Sequence, residues 1–324
     1  MRLERTLLKI PKRFIPLMVL SYLVLFAPAA EANTAIVRGK TNCGQGAELR
    51  LSSPRSSQGS LLLVELRTAK PLNEIKGEWT GKETLFWMAQ APAKARYSLY
   101  RALLGVDLEQ AAGKYDFAVT ADRQSGDKLS CHATVAVNAG HFATESLRVE
   151  KQFVQPDPEQ LKRAQAEQEK LREILGRVTP ERLWQGNFRV PLEGVTTGKN
   201  FGKRRILNGQ SGSPHGGVDL PATTGTPVYA AQGGRVVLAE ELYFPGNTVV
   251  VDHGLGIYTF YGHLSEISVK AGDEVKPGAI LGRVGATGRV TGPHLHWGLS
   301  VNRARVNPLL ILKLLPGEPA GKSP

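Results

Sequence analysis

From about Leu183 onward this chain reads as short β-rich runs separated by glycine turns, and that texture limits the fold more than any other feature. The runs cover 226–231, 235–239, 248–252, 257–261 and 294–301. Gly246-Asn247 and Gly254-Leu255-Gly256 supply turn signals between them. An antiparallel sheet with no substantial helix is expected through to about Pro308. Residues 35 to about 150 also read as strands. The stretch 60–66 is apolar and of buried-strand length, while 114–119 and 133–137 alternate polar and apolar. The stretch 95–105 reads alternatively as a helical turn. A small β-sandwich fits this half.

One helix is expected between the two halves. Asp157 can cap it, Pro158 suits its first position and Gly176 suits its end. The residues between are rich in Gln, Glu, Lys and Arg, so the helix should be mostly exposed. The expected fold is therefore mainly β. It comprises a β-sandwich-like accessory domain over 33–150, a linker with a helix over 151–184, and an antiparallel β domain over 185–316. A disordered tail over 317–324 follows.

The first 32 residues read as a secretory signal. Arg2, Arg5, Lys9, Lys12 and Arg13 form a basic head, and an apolar run follows from Phe14 to Phe26. Ala30-Glu31-Ala32 places small residues at the cleavage-determining positions. The run is shorter than the roughly 20 residues a spanning helix needs. The expected location is extracytoplasmic, periplasmic or secreted. The chain carries a net +12, and removing the leader's +3 leaves the mature chain at +9. Such a charge draws a protein to anionic cell-envelope surfaces, and export argues against nucleic acid. Cys43 and Cys131 are the only cysteines, an even count that suggests one disulfide in an exported chain.

Five of the seven histidines fall between His215 and His296. In a strand, residues two apart share a face, so His294 and His296 project side by side while Leu295 and Trp297 face away. His215-Gly216-Gly217-Val218-Asp219 offers an imidazole and a carboxylate on a turn leading into a strand. Two histidines and one carboxylate with an open fourth position suit a catalytic zinc, although iron uses a similar set. Spacing alone leaves both His294 and His296 as possible ligands. His263, in Tyr261-Gly262-His263-Leu264, follows a strand and begins a turn. His253 reads as structural.

Residues from about 185 to 310 resemble the M23 family of zinc metallopeptidases, the lysostaphin/LytM-type domains. The stretches that carry the resemblance are Pro214-His215-Gly216-Gly217-Val218-Asp219-Leu220, Gly225-Thr226-Pro227-Val228-Tyr229-Ala230, Tyr261-Gly262-His263-Leu264 and Gly288-Arg289-Val290-Thr291-Gly292-Pro293-His294-Leu295-His296-Trp297. The resemblance implies that His215, Asp219 and His296 bind Zn²⁺ and that His263 and His294 are catalytic. It leaves open which of the two is the general base. It also implies hydrolysis of peptide cross-links in peptidoglycan, glycine bridges in some members and D-alanyl links to diaminopimelate in others. The alternative is a non-catalytic LytM-type scaffold that activates a cell-wall amidase. Such scaffolds lose zinc ligands, and here every expected ligand is present.

Overall fold

The computed structural model describes residues 38–195, 198 and 200–315. The leader expected over 1–32 and the tail expected over 317–324 lie outside the described residues. As expected, the chain is mainly β. Two five-stranded sheets form the first half. One runs β1 (Gly39–Asn42), β2 (Ala47–Leu51), β4 (Leu61–Thr68), β8 (Ser98–Gly105) and β7 (Trp87–Ala89). The other runs β3 (Arg55–Ser57), β10 (Lys128–Asn138), β9 (Gly113–Arg123), β5 (Leu72–Trp79) and β6 (Lys82–Leu85). In β10 the buried positions Leu129, Cys131, Ala133, Val135 and Val137 alternate with outward residues, the signature of a sheet covered on one face. They pack with Leu49, Leu62, Val64 and Phe117 in one core. The Cys43–Cys131 disulfide ties the end of β1 to β10.

The stretch 95–105 is corrected by β8. Its residues Ser98–Gly105 form a strand paired along its whole length with β4, not a helical turn. Both β4 and β8 are buried on two faces, which erases the polar alternation that would mark a strand. Leu62, Val64 and Leu66 point into the sandwich. Leu61 and Leu63 point the other way and join a second core with Leu103, Trp184, Ala304 and Ile311. At this contact a Cβ on Gly105 would come within 2.7 Å of Ala304, so the backbones meet where only glycine fits. Arg305 extends the contact with a 2.9 Å ion pair to Asp107. The first sheet is thus a middle layer between the sandwich core and the second half.

Strand β11 (Thr144–Leu147) leads to α1 (Pro158–Ile174). Asp157 and Gln160 form a reciprocal capping box at its start, and Pro158 occupies the first turn. Lys170 reaches Glu240 at 2.6 Å, and Glu167 accepts from the Tyr243 backbone N–H at 2.7 Å. Beyond α1, β11 pairs with β12 (Arg204–Leu207), which pairs with β13 (Gln210–Ser211).

The second half is one nine-stranded antiparallel sheet. Its main path is β14 (Gly217–Pro221), β21 (His294–Val301), β18 (Ile257–Ile267), β17 (Gly246–Asp252), β16 (Gly234–Leu242) and β19 (Glu274–Val275). β20 (Ile280–Val284) pairs with β15 (Pro227–Tyr229) and with β18, and β22 (Ala304–Val306) pairs with β21. Each run read from the sequence falls on one of these strands.

Candidate metal centre

Strand β21 presents His294 and His296 on one face, while Leu295 and Trp297 on the other are fully buried. Across the ladder, Asp219 of β14 is the partner of His296. His215 enters from the segment just before β14. Gly217 makes this approach possible, because a Cβ there would sit 2.5 Å from the Trp297 carbonyl and 2.8 Å from the His296 ring. Three donor atoms converge as a result. His215 Nε2 lies 2.8 Å from His296 Nδ1, and Asp219 Oδ1 lies 3.0 Å from each. These three residues form a group that could hold a metal ion. A tetrahedral zinc with bonds of about 2.0–2.2 Å spaces its ligands ~3.3 Å apart, so the triangle fits with little adjustment.

The surroundings put His215 and Asp219 in ligating form. Burial lowers the His215 pKa to about 4, against the opposing pull of Asp219. Its Nδ1–H donates to the Asn200 carbonyl at 3.1 Å, which leaves Nε2 as a lone pair aimed at the centre. Burial pushes the Asp219 carboxyl up, but the adjoining imidazoles of His215 and His296 outweigh it and hold the group well below the usual range. Its other oxygen is gripped by Asn200 Nδ2 at 2.7 Å and Arg205 Nη2 at 2.8 Å. Asn200 Oδ1 accepts from the Asp219 backbone N–H at 2.9 Å, so one side chain fixes both ends of the aspartate. Sequence reasoning missed Asn200 and Arg205. Their only signal was the basic run Lys203-Arg204-Arg205, which says nothing of which charge turns inward.

His263 departs from the turn expected for it. It lies inside β18, at φ +64°, where the register to β17 slips by one residue. The extra residue makes a bulge that turns the ring toward the metal-ligand triangle. Its Nδ1–H donates to the Thr287 carbonyl at 2.8 Å, leaving Nε2 unprotonated. Burial, then the proximity of the His296 and His294 rings, lowers its pKa to about 3. His294 follows the same scheme, donating Nδ1–H to the Gly292 carbonyl at 2.8 Å. Its Nε2 is 3.5 Å from Asp219 Oδ1, and its ring centroid is 4.9 Å from that of His263. The structure therefore brings all five named residues to one place. A groove of about 330 Å³ opens beside them, bordered by Glu145, Arg205, Arg289 and His294. His253 lies apart, buried between the Gly233 carbonyl and the Thr259 hydroxyl, 2.7 Å from each.

The segment that carries these residues is similar to known proteins. Residues 213–308 match the model of Peptidase family M23. The chain is 42% identical over 123 residues to the peptidoglycan DD-endopeptidase ShyC of Vibrio cholerae serotype O1, covering 37% of this chain and 28% of that one. It is 47% identical over 95 residues to ShyA of the same organism, a second peptidoglycan DD-endopeptidase, covering 29% of this chain and 22% of that one. The chain thus spans under a third of the length of these relatives. A Pseudomonas aeruginosa structure assigned to peptidase M23 aligns with a TM-score of 0.59 at 28% identity, over 80% of this chain and 95% of that one.

Proposed function

From a chain that carries a peptidase family M23 domain over residues 213–308, we propose an exported zinc metalloendopeptidase that hydrolyses the peptide cross-links of peptidoglycan. The observation that carries the reading is the convergence of His215, Asp219 and His296 with two further imidazoles whose free nitrogens share the same space. The names of the relatives support the substrate class. The Cys43–Cys131 disulfide supports export, since such bonds persist in oxidising compartments. The basic head and apolar run of the first 32 residues support it from the sequence.

His215, Asp219 and His296 hold the metal in this reading. A bound zinc supplies Lewis acidity toward the scissile carbonyl and an acidified water. The chain's own residues do the rest. Asn200 and Arg205 keep Asp219 ionised and oriented. His263 and His294 each tie their Nδ1 proton to a backbone carbonyl and present Nε2 as a base. One takes a proton from the attacking water, and the imidazolium so formed can return it to the leaving amine. The other, on taking a proton from solvent as negative charge develops beside it, can donate Nε2–H to the oxyanion.

The test is muropeptide analysis of purified peptidoglycan treated with the mature protein, with and without chelator. New uncross-linked muropeptides that vanish with chelator support the reading. Stoichiometric zinc without hydrolysis of any peptidoglycan chemotype rejects it in favour of the scaffold. Detection of the intact leader on protein recovered from the cell envelope would contradict processed export.

A further inference from the structure

The groove beside the metal-ligand triangle holds more positive charge than its own residues neutralise. Glu145, on its border, is paired with Lys203 at 2.7 Å. Asp219 is paired with Arg205 at 2.8 Å. Arg289 stands differently. Among the described residues its guanidinium makes no hydrogen bond or ion pair. It lies over the Phe244 ring, with Cζ 4.4 Å from the ring centroid. Burial, then the positive charge of Arg205, lowers its pKa.

The backbone beneath Arg289 is fixed. Its N–H donates to the Phe244 carbonyl at 2.7 Å. Gly288, at φ +73°, sits so close to Phe244 and Gly246 that no side chain fits there. The arginine is thus held in place beside an aromatic ring. A cation–π contact takes up none of its N–H donors, so they stay available to an acceptor. A partly buried cation without a counter-ion is a costly arrangement, and an anion entering the groove removes that cost. Arg205, although paired with Asp219, also borders the groove, and its charge is felt at Arg289.

We propose that Arg289, backed by Arg205, forms a subsite for a carboxylate of the peptide substrate beside the scissile bond. The proposal rests on the peptidase reading above and deepens it. Glycine bridges carry no charge next to the bond that is cut. Diaminopimelate carries a carboxylate on the carbon bonded to the amide nitrogen of the cross-link. The subsite therefore selects the second chemistry.

The experiment uses the zinc-loaded mature chain and a D-alanyl–diaminopimelyl cross-linked peptide, in its free-acid form and with that one carboxylate amidated. A charge-assisted, bidentate contact should make the wild type prefer the acid by about tenfold to a hundredfold in kcat/KM, mainly through KM. Arg289→Gln should reduce the preference to about twofold or less, and Arg289→Lys should retain part of it. Each variant serves as its own control, because a general loss of folding or rate lowers both peptides together. Equal use of the two peptides by the wild type overturns the subsite, as does an undiminished preference in Arg289→Gln. A variant that loses only affinity for inorganic phosphate, with its acid preference intact, overturns it in favour of a general anion site. If the wild type cuts neither peptide, the peptidase reading fails. Calorimetric titration of the same two peptides then judges the subsite by the same ratio.

Discussion

His253 and His263 mark opposite ends of the β17–β18 hairpin, and by burial alone they are alike. Both are almost wholly withdrawn from water, and burial lowers one pKa to about 4 and the other to about 3. The difference lies in the second ring nitrogen. His253 has protein partners at both, the Gly233 carbonyl and the Thr259 hydroxyl. Its end of the hairpin is closed by residues 179–188. Leu255 N–H donates to Thr179 at 2.7 Å, Leu183 N–H donates to His253 at 2.9 Å, and Phe188 packs edge-on against the ring. His263 has a protein partner only at Nδ1. Its Nε2 makes no hydrogen bond to a described residue and faces the rings of His294 and His296. A depressed pKa therefore does not identify a chemical role. What sets His263 apart is an imidazole nitrogen left available beside the candidate metal-ligand group.

The contrast breaks most visibly at the open end. His296→Ala should remove a ligand and abolish both zinc stoichiometry and hydrolysis, with a loss of more than about a thousandfold. Elemental analysis and muropeptide release measure the two together. Next, His263→Ala should lower kcat by about a hundredfold to ten-thousandfold while zinc content and the melting transition stay near wild type. If activity survives, His263 belongs with His253 as a structural residue.

At the closed end the effect should fall on stability. His253→Ala leaves the buried Gly233 carbonyl without its side-chain donor, takes one of two partners from the Thr259 hydroxyl and opens a cavity, and should destabilise the protein by about 2–4 kcal/mol at pH 7, with zinc content retained. Its pH dependence has a definite sign. The folded pKa is about 4 against 6.5 for the unperturbed side chain, so the unfolded chain binds the extra proton between those values. This histidine's contribution is complete above pH 6.5 and is lost as pH falls toward 4, a change of about 3 kcal/mol. In denaturant titrations the gap between wild type and His253→Ala should narrow over that window. A constant gap would mean that His253 is not held neutral by burial.

The smallest effect sharpens the comparison. The Thr287 hydroxyl donates to the Leu264 carbonyl at 2.8 Å and accepts from the Asn247 N–H at 2.9 Å, which anchors the carbonyl that orients His263. Thr287→Val should cost about 1–2 kcal/mol of stability. It should also lower kcat by about tenfold or less, through drift of the ring rather than loss of zinc. Melting, single-turnover kinetics and metal analysis separate those outcomes.

Much of the candidate site was legible because its geometry is local. Strand periodicity placed His294 and His296 on one face without knowledge of any neighbour. The capped helix was readable from Asp157, Pro158 and Gly176 for the same reason. The sandwich was readable from alternation in β10, but β8 was ambiguous because a second layer covers it. The apolar run in β4 showed a buried strand, not that Leu61 and Leu63 would leave the sandwich core for a second one.

The sequence by itself determined which side chains could ligate and which faces they would share, since both follow from a two-residue period. The family resemblance then divided His296 from His294 and added His263. The tertiary structure decided what each imidazole nitrogen does. That depends on carbonyls from Asn200, Gly233, Thr287 and Gly292, most of them supplied by elements distant in sequence. It also decided that His263 sits on a bulge inside a strand, that Asn200 and Arg205 grip Asp219, and that Arg289 borders a groove with no hydrogen-bond or ion-pair partner among the described residues. A hydrogen bond requires atoms within about 3 Å, and only the packed fold sets that distance for residues far apart along the chain.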